Sequence, residues 1–389
     1  GRRPGGAVFP VEIVCTRVTM QDGVHYGFLI RDVTDRNRFE QDLMSMNTAS
    51  ERYLLKTGCS EITVKLHSES NHRVQYQYQD NTHTANCDWV VDTSGRNRFL
   101  AGNLDIKRPS ELRHAASFFW VDGIVNVEKL TDIPHHQRLR HPVRQNLGHL
   151  PVWLATNHLM GEGFWFWIIP LKNHTSFGLV FDQDCVNIQE VNSKDKLLRW
   201  LFERFPLLQR ALEHREIIDF TCMRNYSHDC ERTIHRQRWA MSGESGRFSD
   251  PLYSPGSDLI ALHNTLICDA ICTDTDDQLS TKTMLFEPMM NSLYQSFLPS
   301  FDEGYRVLGD QECFSMKYGW ELSIYFSFLV FPFINHRFTD TVFLAGFFRR
   351  FSRLGKINKA VHAYIAAYYE WKQDRFSPSL TVTHFDFTN

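Results

Sequence analysis

Two kinds of local pattern divide this sequence near Pro255. Before that residue, short runs of β-branched and aromatic residues alternate with turn residues, which is typical of strands. After it, apolar residues recur mostly at helical spacing. We therefore predict an α/β fold with α+β character, in which sheets come first and residues 273–389 form a mostly helical carboxy-terminal region.

The strand-like segments form an amino-terminal pair and a longer series. Val8 to Val18 and His25 to Arg31 flank the turn signal Gln21-Asp22-Gly23, which predicts a hairpin, and a helix is predicted over Arg36 to Met46. The later segments predicted as strands are Glu61 to Leu66, Arg73 to Tyr78, His83 to Val91, Phe118 to Val121, Gly163 to Pro170 and Ser176 to Phe181. Helices are predicted from Ser193 to Phe205 and over Leu259 to Ile271.

Charge, cysteine content and apolar run length exclude several classes of protein. The 42 basic and 45 acidic residues leave a formal net charge of -3, which offers no field to hold a nucleic-acid backbone. The nine cysteines lack paired metal spacing, so we predict reduced thiols in a cytoplasmic protein and no metal site. The longest apolar run, Ile324 to Ile334, is about half the ~20 residues that span a bilayer, so no membrane partner is expected.

Three segments carry candidate chemistry. The first, Trp89-Val90-Val91-Asp92-Thr93-Ser94-Gly95-Arg96, is an apolar strand that ends in a polar turn, the place where open sheets present ligand contacts. The second is Trp165-Phe166-Trp167-Ile168-Ile169-Pro170, whose two Trp are spaced by two and can form one aromatic wall on a strand. The third runs from Trp239 to Asp258: a strand, a turn of small residues, Asp250-Pro251, and Ser254-Pro255-Gly256 leading into a helix.

In this order, the three segments resemble the flavin-dependent halogenases and their close flavoprotein monooxygenase relatives. The second segment matches the Trp-x-Trp-x-Ile-Pro signature of that family at every defined position. The resemblance covers residues 48–389 and implies an FAD-binding, flavoprotein monooxygenase-type fold with a β-sheet substrate domain. It further implies FAD as cofactor, a separate flavin reductase as partner, and reduced flavin and O2 acting on a small electron-rich aromatic substrate.

The resemblance also assigns roles to individual residues. Trp165, Trp167 and Pro170 would form the catalytic wall between flavin and substrate, and Glu244 stands where the family has the Asp that hydrogen-bonds the ribityl chain. The residues implied to contact the cofactor are Asp92, Gly95, Arg96, Gly243, Glu244, Asp250, Pro251 and Gly256. Those implied to contact halide or substrate are Tyr253, Ser254 and Gly256.

The chain departs from the family pattern in the third segment. Tyr253 replaces the Glu of tryptophan-type members, and a phenol cannot supply the charge of a carboxylate. Pro255 has no N–H to offer a halide. We therefore expect phenolic or pyrrolic substrates, or plain oxygenation, rather than tryptophan.

Two family elements have no counterpart in these residues. The dinucleotide fingerprint G-x-G-x-x-G occurs nowhere in the 389 residues, and no lysine falls in a motif that would assign it the catalytic role. We therefore expect a truncated flavoprotein fold with weak or absent FAD affinity. An inactive, non-catalytic remnant remains an alternative.

The first 46 residues resemble a different family. Gly1-Arg2-Arg3-Pro4-Gly5-Gly6-Ala7-Val8-Phe9-Pro10-Val11-Glu12-Ile13 and Arg31-Asp32-Val33-Thr34-Asp35-Arg36 are similar to the last two strands and exit helix of a PAS sensor domain. The resemblance implies a partial PAS-like segment over residues 1–46 in front of the halogenase-like domain. It leaves open a second hypothesis, a signalling protein in which a PAS module controls an attached domain.

Overall fold

A computed structural model describes residues 11–20, 23–32, 44–50, 52–68, 70–130 and 152–375, with backbone alone for residues 11–32. The strands are β1 (Val11–Met20), β2 (Gly23–Asp32), β3 (Tyr53–Thr57), β4 (Ser60–Lys65), β5 (His72–Tyr78), β6 (Asn81–Cys87), β7 (Val90–Asp92), β8 (Lys107–Pro109), β9 (His114–Asp122), β10 (Asn157–Gly161), β11 (Phe164–Pro170), β12 (His174–Asp182), β13 (Ile217–Met223), β14 (His228–Cys230), β15 (Ile234–His235) and β16 (Trp239–Met241). The helices are α1 (Phe99–Asn103), α2 (Lys194–Arg204), α3 (Pro206–Leu212), α4 (Pro255–Ile271), α5 (Asp276–Phe301), α6 (Gln311–Tyr325), α7 (Phe331–Ile334) and α8 (Thr341–Arg375).

The predicted amino-terminal hairpin is confirmed. Strands β1 and β2 pair antiparallel, and β1 also pairs antiparallel with β3, so the hairpin belongs to a three-stranded sheet. The backbone is helical over residues 44–48, whereas the rest of the helix predicted over Arg36 to Met46 lies outside the described residues, as do residues 1–10 and 33–36 of the PAS-like motifs.

The chain folds into two compact units, each assembled from three stretches of sequence. Unit 1 contains Gly1–Ser110, His228–Gln295 and Leu329–Arg353. Unit 2 contains Glu111–Ser227, Ser296–Phe328 and Leu354–Asn389. Among the described residues, no helix is both long enough and apolar enough to cross a membrane.

Unit 1 combines an antiparallel meander with a small parallel pairing. Strands β4, β5 and β6 form the meander, and β5 buries Val74 and Tyr76 in strict alternation with exposed residues. Strand β7 pairs in parallel with β16, which pairs antiparallel with β15. The single strand predicted over His83 to Val91 is therefore wrong. The chain leaves the meander after Cys87, and Val90 begins a strand in a different sheet.

Unit 2 is built around a five-stranded sheet in the order β10-β11-β12-β9-β13, whose neighbouring strands are all antiparallel. One face of this sheet packs on α2 and α3. The residues that share this core are Phe119, Phe166, Ile168, Phe177, Leu179, Phe181, Leu197, Trp200, Leu201 and Leu208. Burying a large apolar side chain of this kind contributes about 1.5–3 kcal/mol, so the sheet and the two helices stabilise each other.

Helices dominate the described chain after Pro255, as predicted. Helix α4 begins at Pro255, about one turn earlier than the predicted start at Leu259. Proline suits the first helical position because its fixed φ is already helical and its missing N–H would have no partner there. A π-helical turn, Phe326–Val330, follows α6.

A buried ionic network in unit 1 ties the segment before α4 to helix α5. The Arg247 guanidinium is 1 % exposed and donates to the Asp229 carboxylate and to Glu287 Oε1, each at 2.7 Å. Glu287 Oε2 accepts from the Thr233 N–H at 2.6 Å and from the Thr233 hydroxyl at 2.9 Å. Burial opposes the charge on Arg247, but the carboxylates outweigh it and raise the pKa of the guanidinium.

The Trp167 indole of unit 2 lies against a glycine on the neighbouring strand. Trp167 pairs with Gly178 across β11 and β12, and its Nε1–H donates to Ser176 Oγ at 3.0 Å. A Cβ atom at position 178 would stand 2.1 Å from Trp167 Cζ2. The indole can hold this position because residue 178 has no side chain.

Replacing Glu287 with Gln should destabilise the protein by about 3 kcal/mol, because it removes one carboxylate of a buried pair and leaves the Arg247 charge undercompensated. The control is Glu231→Gln, whose exposed partner is Arg108, and for which we expect a loss of about 1 kcal/mol or less. Denaturant unfolding measures both. Equal losses would show that the buried network contributes no more than a surface pair.

Replacing Gly178 with Ala should displace Trp167 and cost about 1–3 kcal/mol. The matched control is Gly319→Ala on α6, where an added Cβ meets no atom within 4 Å and helix propensity favours alanine. Thermal unfolding and near-UV circular dichroism provide the readouts. A Gly178→Ala variant with an unchanged melting point and unchanged aromatic signal would contradict the described packing.

Candidate functional site

The first and third predicted segments meet in unit 1. Because β7 and β16 are parallel, with Val90 opposite Trp239 and Asp92 opposite Met241, both strands end at the same edge of the sheet. Each strand leads into a short 3-10 turn, Gly95–Asn97 after β7 and Gly243–Ser245 after β16, and the two turns lie next to each other. Ligands of open α/β sheets bind at such an edge.

Asp92 shapes the loop that follows β7. Its Oδ1 accepts from the Ser94 N–H at 2.8 Å, and its Oδ2 accepts from the Leu100 N–H at 2.6 Å. Its carbonyl oxygen accepts from the Ser242 N–H at 3.0 Å and from the Ser245 hydroxyl at 2.7 Å. Asp92 therefore fastens the two turns together, and both of its carboxylate oxygens are bonded to backbone.

The turn after β7 presents one exposed cation and one buried hydroxyl. Gly95 has φ +60°, the left-handed conformation that favours glycine, and places Arg96 on the surface. Thr93 Oγ1 is buried and has no hydrogen-bond partner among the described residues. An unsatisfied buried hydroxyl of this kind is rare and marks a place where a further polar group would be accommodated.

Glu244 is half-buried in the turn after β16. Burial raises the pKa of its carboxyl, and the positive charge of Arg96 acts in the opposite direction. The carbonyl oxygen of Glu244 accepts from His228 Nε2–H at 2.8 Å, which fixes the backbone beneath the carboxylate. Gly243 precedes it with φ +60°, and a Cβ there would stand 2.6 Å from Ile260 Cγ1.

The segment from Asp250 to Gly256 has a strained backbone. Asp250 is fully buried, and its Oδ1 accepts from the Leu252 N–H at 2.9 Å, which closes a turn around Pro251. Tyr253 and Ser254 follow with φ of 65° and 61°, and α4 starts at the next residue. Consecutive left-handed residues that are not glycine are uncommon, and they cluster at ligand-contacting loops.

In unit 2, Trp165 and Trp167 lie on the same face of β11, as their spacing predicted. Their ring centroids are 5.8 Å apart, and Phe118 lies a further 5.8 Å from Trp167. The His158 ring meets Trp165 edge-on at 5.0 Å. These rings form a continuous aromatic wall on the side of the sheet opposite the main core.

Pro170 does not share this face. Residues alternate along β11, so Pro170 lies on the side of Phe166 and Ile168, which are buried in the core, and not on the side of the two Trp. The wall instead contains Tyr305, which no sequence motif singled out. Tyr305 is fully buried, its phenol oxygen accepts from Trp165 Nε1–H at 2.6 Å, and its ring stacks on His114 at 4.1 Å.

Four histidines near the candidate residues are packed or hydrogen-bonded. His114 and His158 contact the rings described above, His228 donates to Glu244, and His263 accepts from the Gly243 N–H. Across the described residues, no group of three or more His, Cys, Asp or Glu side chains is arranged to hold a metal ion.

Cys268 and Cys272, four residues apart at the end of α4, are exposed free thiols. The buried face of α4 is instead occupied by Leu262, Leu266, Ile267 and Ala270. Cys268 therefore lies on the solvent side of α4, and Cys272 directly follows the helix.

Comparison with known proteins finds halogenases among the relatives of this chain. No family model matches the chain. It is 23 % identical over 321 residues to the flavin-dependent halogenase chlA of Dictyostelium discoideum, covering 80 % of this chain and 49 % of that protein. It is 27 % identical over 205 residues to the 1H-pyrrole-2-carbonyl-[peptidyl-carrier protein] brominase of Pseudoalteromonas luteoviolacea strain 2ta16, covering 50 % and 44 % respectively.

A solved structure shows the likeness of fold. The halogenase PltM in complex with phloroglucinol and FAD aligns with a TM-score of 0.53 at 13 % identity, over 81 % of this chain and 68 % of PltM. The chain spans about half the length of the two sequence relatives. These relatives give no support to a PAS signalling protein or to a non-catalytic remnant. Sequence and structure together support a relationship with the flavin-dependent halogenases.

Proposed function

We propose that this chain forms the flavin- and substrate-contacting part of an FAD-dependent halogenase that acts on a phenolic or pyrrolic ring. The observation that carries the proposal is the parallel pairing of β7 and β16. This pairing sets the turns that hold Arg96 and Glu244 side by side at the carboxyl ends of two strands, where an open sheet binds its ligand. The proposed domain covers residues 48–389, and the hairpin that precedes it joins its sheet through the pairing of β1 with β3.

The residues of unit 1 fit the ribityl part of a flavin. A ribityl chain carries hydroxyl groups, which need acceptors and donors at short range. The Glu244 carboxylate can accept, and the Thr93 hydroxyl, which is buried and has no partner in the described part of the chain, can do either. No G-x-G-x-x-G turn for the pyrophosphate occurs in this sequence, so the fit is to the ribityl portion.

The proposed roles follow from the chemistry of each group. Glu244 holds a ribityl hydroxyl, and Arg96 supplies positive charge beside the anionic end of the cofactor. The strained loop from Asp250 to Gly256 contacts the ring system and the halide. Bound reduced flavin, replenished by a separate reductase, would supply with O2 the oxidising power that converts a halide to an electrophile.

The aromatic wall of unit 2 is proposed to exclude water from the substrate ring. Trp165 is 3 % exposed and lies behind the wall's surface, with its indole N–H satisfied by Tyr305. The half-buried rings of Trp167 and Phe118 supply the accessible carbon surface, and the Trp167 N–H is satisfied by Ser176. Flat aromatic rings pack favourably against such a surface in offset or edge-on arrangements. PltM with phloroglucinol and the pyrrole brominase are the relatives that suggest the substrate class.

FAD titration of the purified chain tests the cofactor site. We expect a dissociation constant in the micromolar range or weaker, because no glycine-rich turn contributes pyrophosphate contacts. Glu244→Gln should weaken binding about tenfold, since a hydrogen bond to a charged group contributes about 1.5–3 kcal/mol. Quenching of flavin fluorescence is the readout.

Glu231→Gln is the matched control. Glu231 has the same side chain as Glu244 and also lies in unit 1, but it is exposed and pairs with Arg108. It should leave FAD affinity unchanged. A wild-type chain that binds no FAD would contradict the cofactor assignment, and equal effects of the two substitutions would remove Glu244 from it.

Incubation with FAD, a flavin reductase, NADH, bromide or chloride, and phloroglucinol or a pyrrole tests the reaction itself. We expect a halogenated product by mass spectrometry that requires both halide and reductase. A hydroxylated product that forms with or without halide would show that the chain oxygenates its substrate rather than halogenating it. A chain that binds FAD and forms neither product would contradict a catalytic role.

A further inference from the structure

Helix α4 holds the Glu244 turn with three side chains of one face. Ile260, His263 and Asn264 are spaced by three and four residues and therefore lie on the same side of the helix. His263 Nδ1 accepts from the Gly243 N–H at 3.2 Å, and Asn264 Oδ1 accepts from the Ser242 hydroxyl at 2.7 Å. Ile260 fills the space that a side chain at residue 243 would occupy.

Burial keeps the imidazole neutral, and the bond from Gly243 determines its tautomer. His263 is completely enclosed, and burial, together with the nearby positive charge of Arg247, lowers the pKa of its ring to about 3. The ring is therefore neutral near pH 7. Because Nδ1 is the acceptor, the ring proton lies on Nε2, and Nε2 has no hydrogen-bond partner among the described residues.

The imidazole leaves one buried donor unsatisfied and satisfies another. Its Nε2–H has no partner among the described residues, at a cost of about 1–3 kcal/mol, whereas an apolar side chain at residue 263 would leave the Gly243 N–H without its acceptor at a similar cost. What the imidazole provides is one acceptor, directed at the N–H of the residue before Glu244. Without it, this N–H at the start of a 3-10 turn would itself be buried and unsatisfied.

We propose that His263 is the positioning residue for Glu244. Its Nδ1 fixes the Gly243–Glu244 peptide, and the peptide fixes the point at which the carboxylate meets the ribityl chain. The inference rests on the proposed function for its consequence in FAD binding, but its structural part, the hold on Gly243, does not require a flavin.

The test compares two substitutions with a matched control. In His263→Asn, the amide oxygen can stand near the place of Nδ1 and accept the same bond, whereas His263→Leu fills the site without an acceptor. The control is His362→Leu in unit 2. His362 is also fully buried, has a pKa lowered to about 3, and has one ring nitrogen without a partner among the described residues.

Two readouts separate positioning from general stability. The FAD dissociation constant should rise at least tenfold in His263→Leu, stay within about threefold of wild type in His263→Asn, and remain unchanged in His362→Leu. The Gly243 amide should exchange with solvent more rapidly in His263→Leu and at the wild-type rate in His263→Asn, with no flavin present. Melting temperatures report the stability loss that both leucine variants share.

Each remaining outcome overturns one claim. If His263→Leu binds FAD as the wild type does, His263 is a packing residue and the inference fails while the proposed function stands. If neither the wild type nor any variant binds FAD, the proposed function fails. The exchange rate of the Gly243 amide then remains as the test of whether His263 holds the turn. An unchanged exchange rate of the Gly243 amide in His263→Leu would contradict the claim that His263 holds the turn.

Discussion

The buried charge of Arg247 is the constraint on which the candidate site depends. The guanidinium lies two residues after the Gly243–Ser245 turn and is held by carboxylates from β14 and from α5. A buried cation is tolerated only when such partners surround it, so the turn, the strand and the helix cannot move independently. The turn that carries Glu244 is thereby fixed from one side by Arg247 and from the other by His263.

The second level of order is the parallel pairing of β7 and β16. Parallel strands bring their carboxyl ends to one edge, and the backbone of Asp92 joins the two edge turns through Ser242 and Ser245. The result is a compact ledge that presents a carboxylate, a cation and a buried hydroxyl without a partner among the described residues. That combination suits a hydroxylated, anionic ligand better than an apolar one. The aromatic wall of unit 2 has the opposite character and suits a flat ring.

Local sequence patterns predicted the positions of the strands better than they predicted which strands pair with each other. Alternation located β5, β11 and β12 to within two residues, and it placed Trp165 and Trp167 on one face. Alternation could not reveal that Val90 leaves the meander, because a change of sheet leaves no mark in a run of apolar residues. The same signature that selected Trp167 led to Pro170, whose position three residues later puts it on the other face.

The residues that sequence reasoning missed act over long separations in the chain. Tyr305 bonds to Trp165 from 140 residues away, and Glu287 bonds to Arg247 from 40 residues away. No local signal distinguishes Arg247, because a cation among Gly and Ser residues of a turn is ordinarily exposed. For Tyr305 and His263 no local pattern distinguishes them from other aromatic and histidine residues of the helical region.

We propose that the two turns that follow β7 and β16, Gly95–Asn97 and Gly243–Ser245, bind a flavin. The most direct test of this proposal is a crystal structure of the 389-residue chain determined in the presence of saturating FAD. We expect flavin density at the carboxyl ends of β7 and β16, with a ribityl oxygen within hydrogen-bonding distance of the Glu244 carboxylate and the Thr93 hydroxyl. Flavin density elsewhere on the molecule, with this ledge filled by solvent, would contradict it.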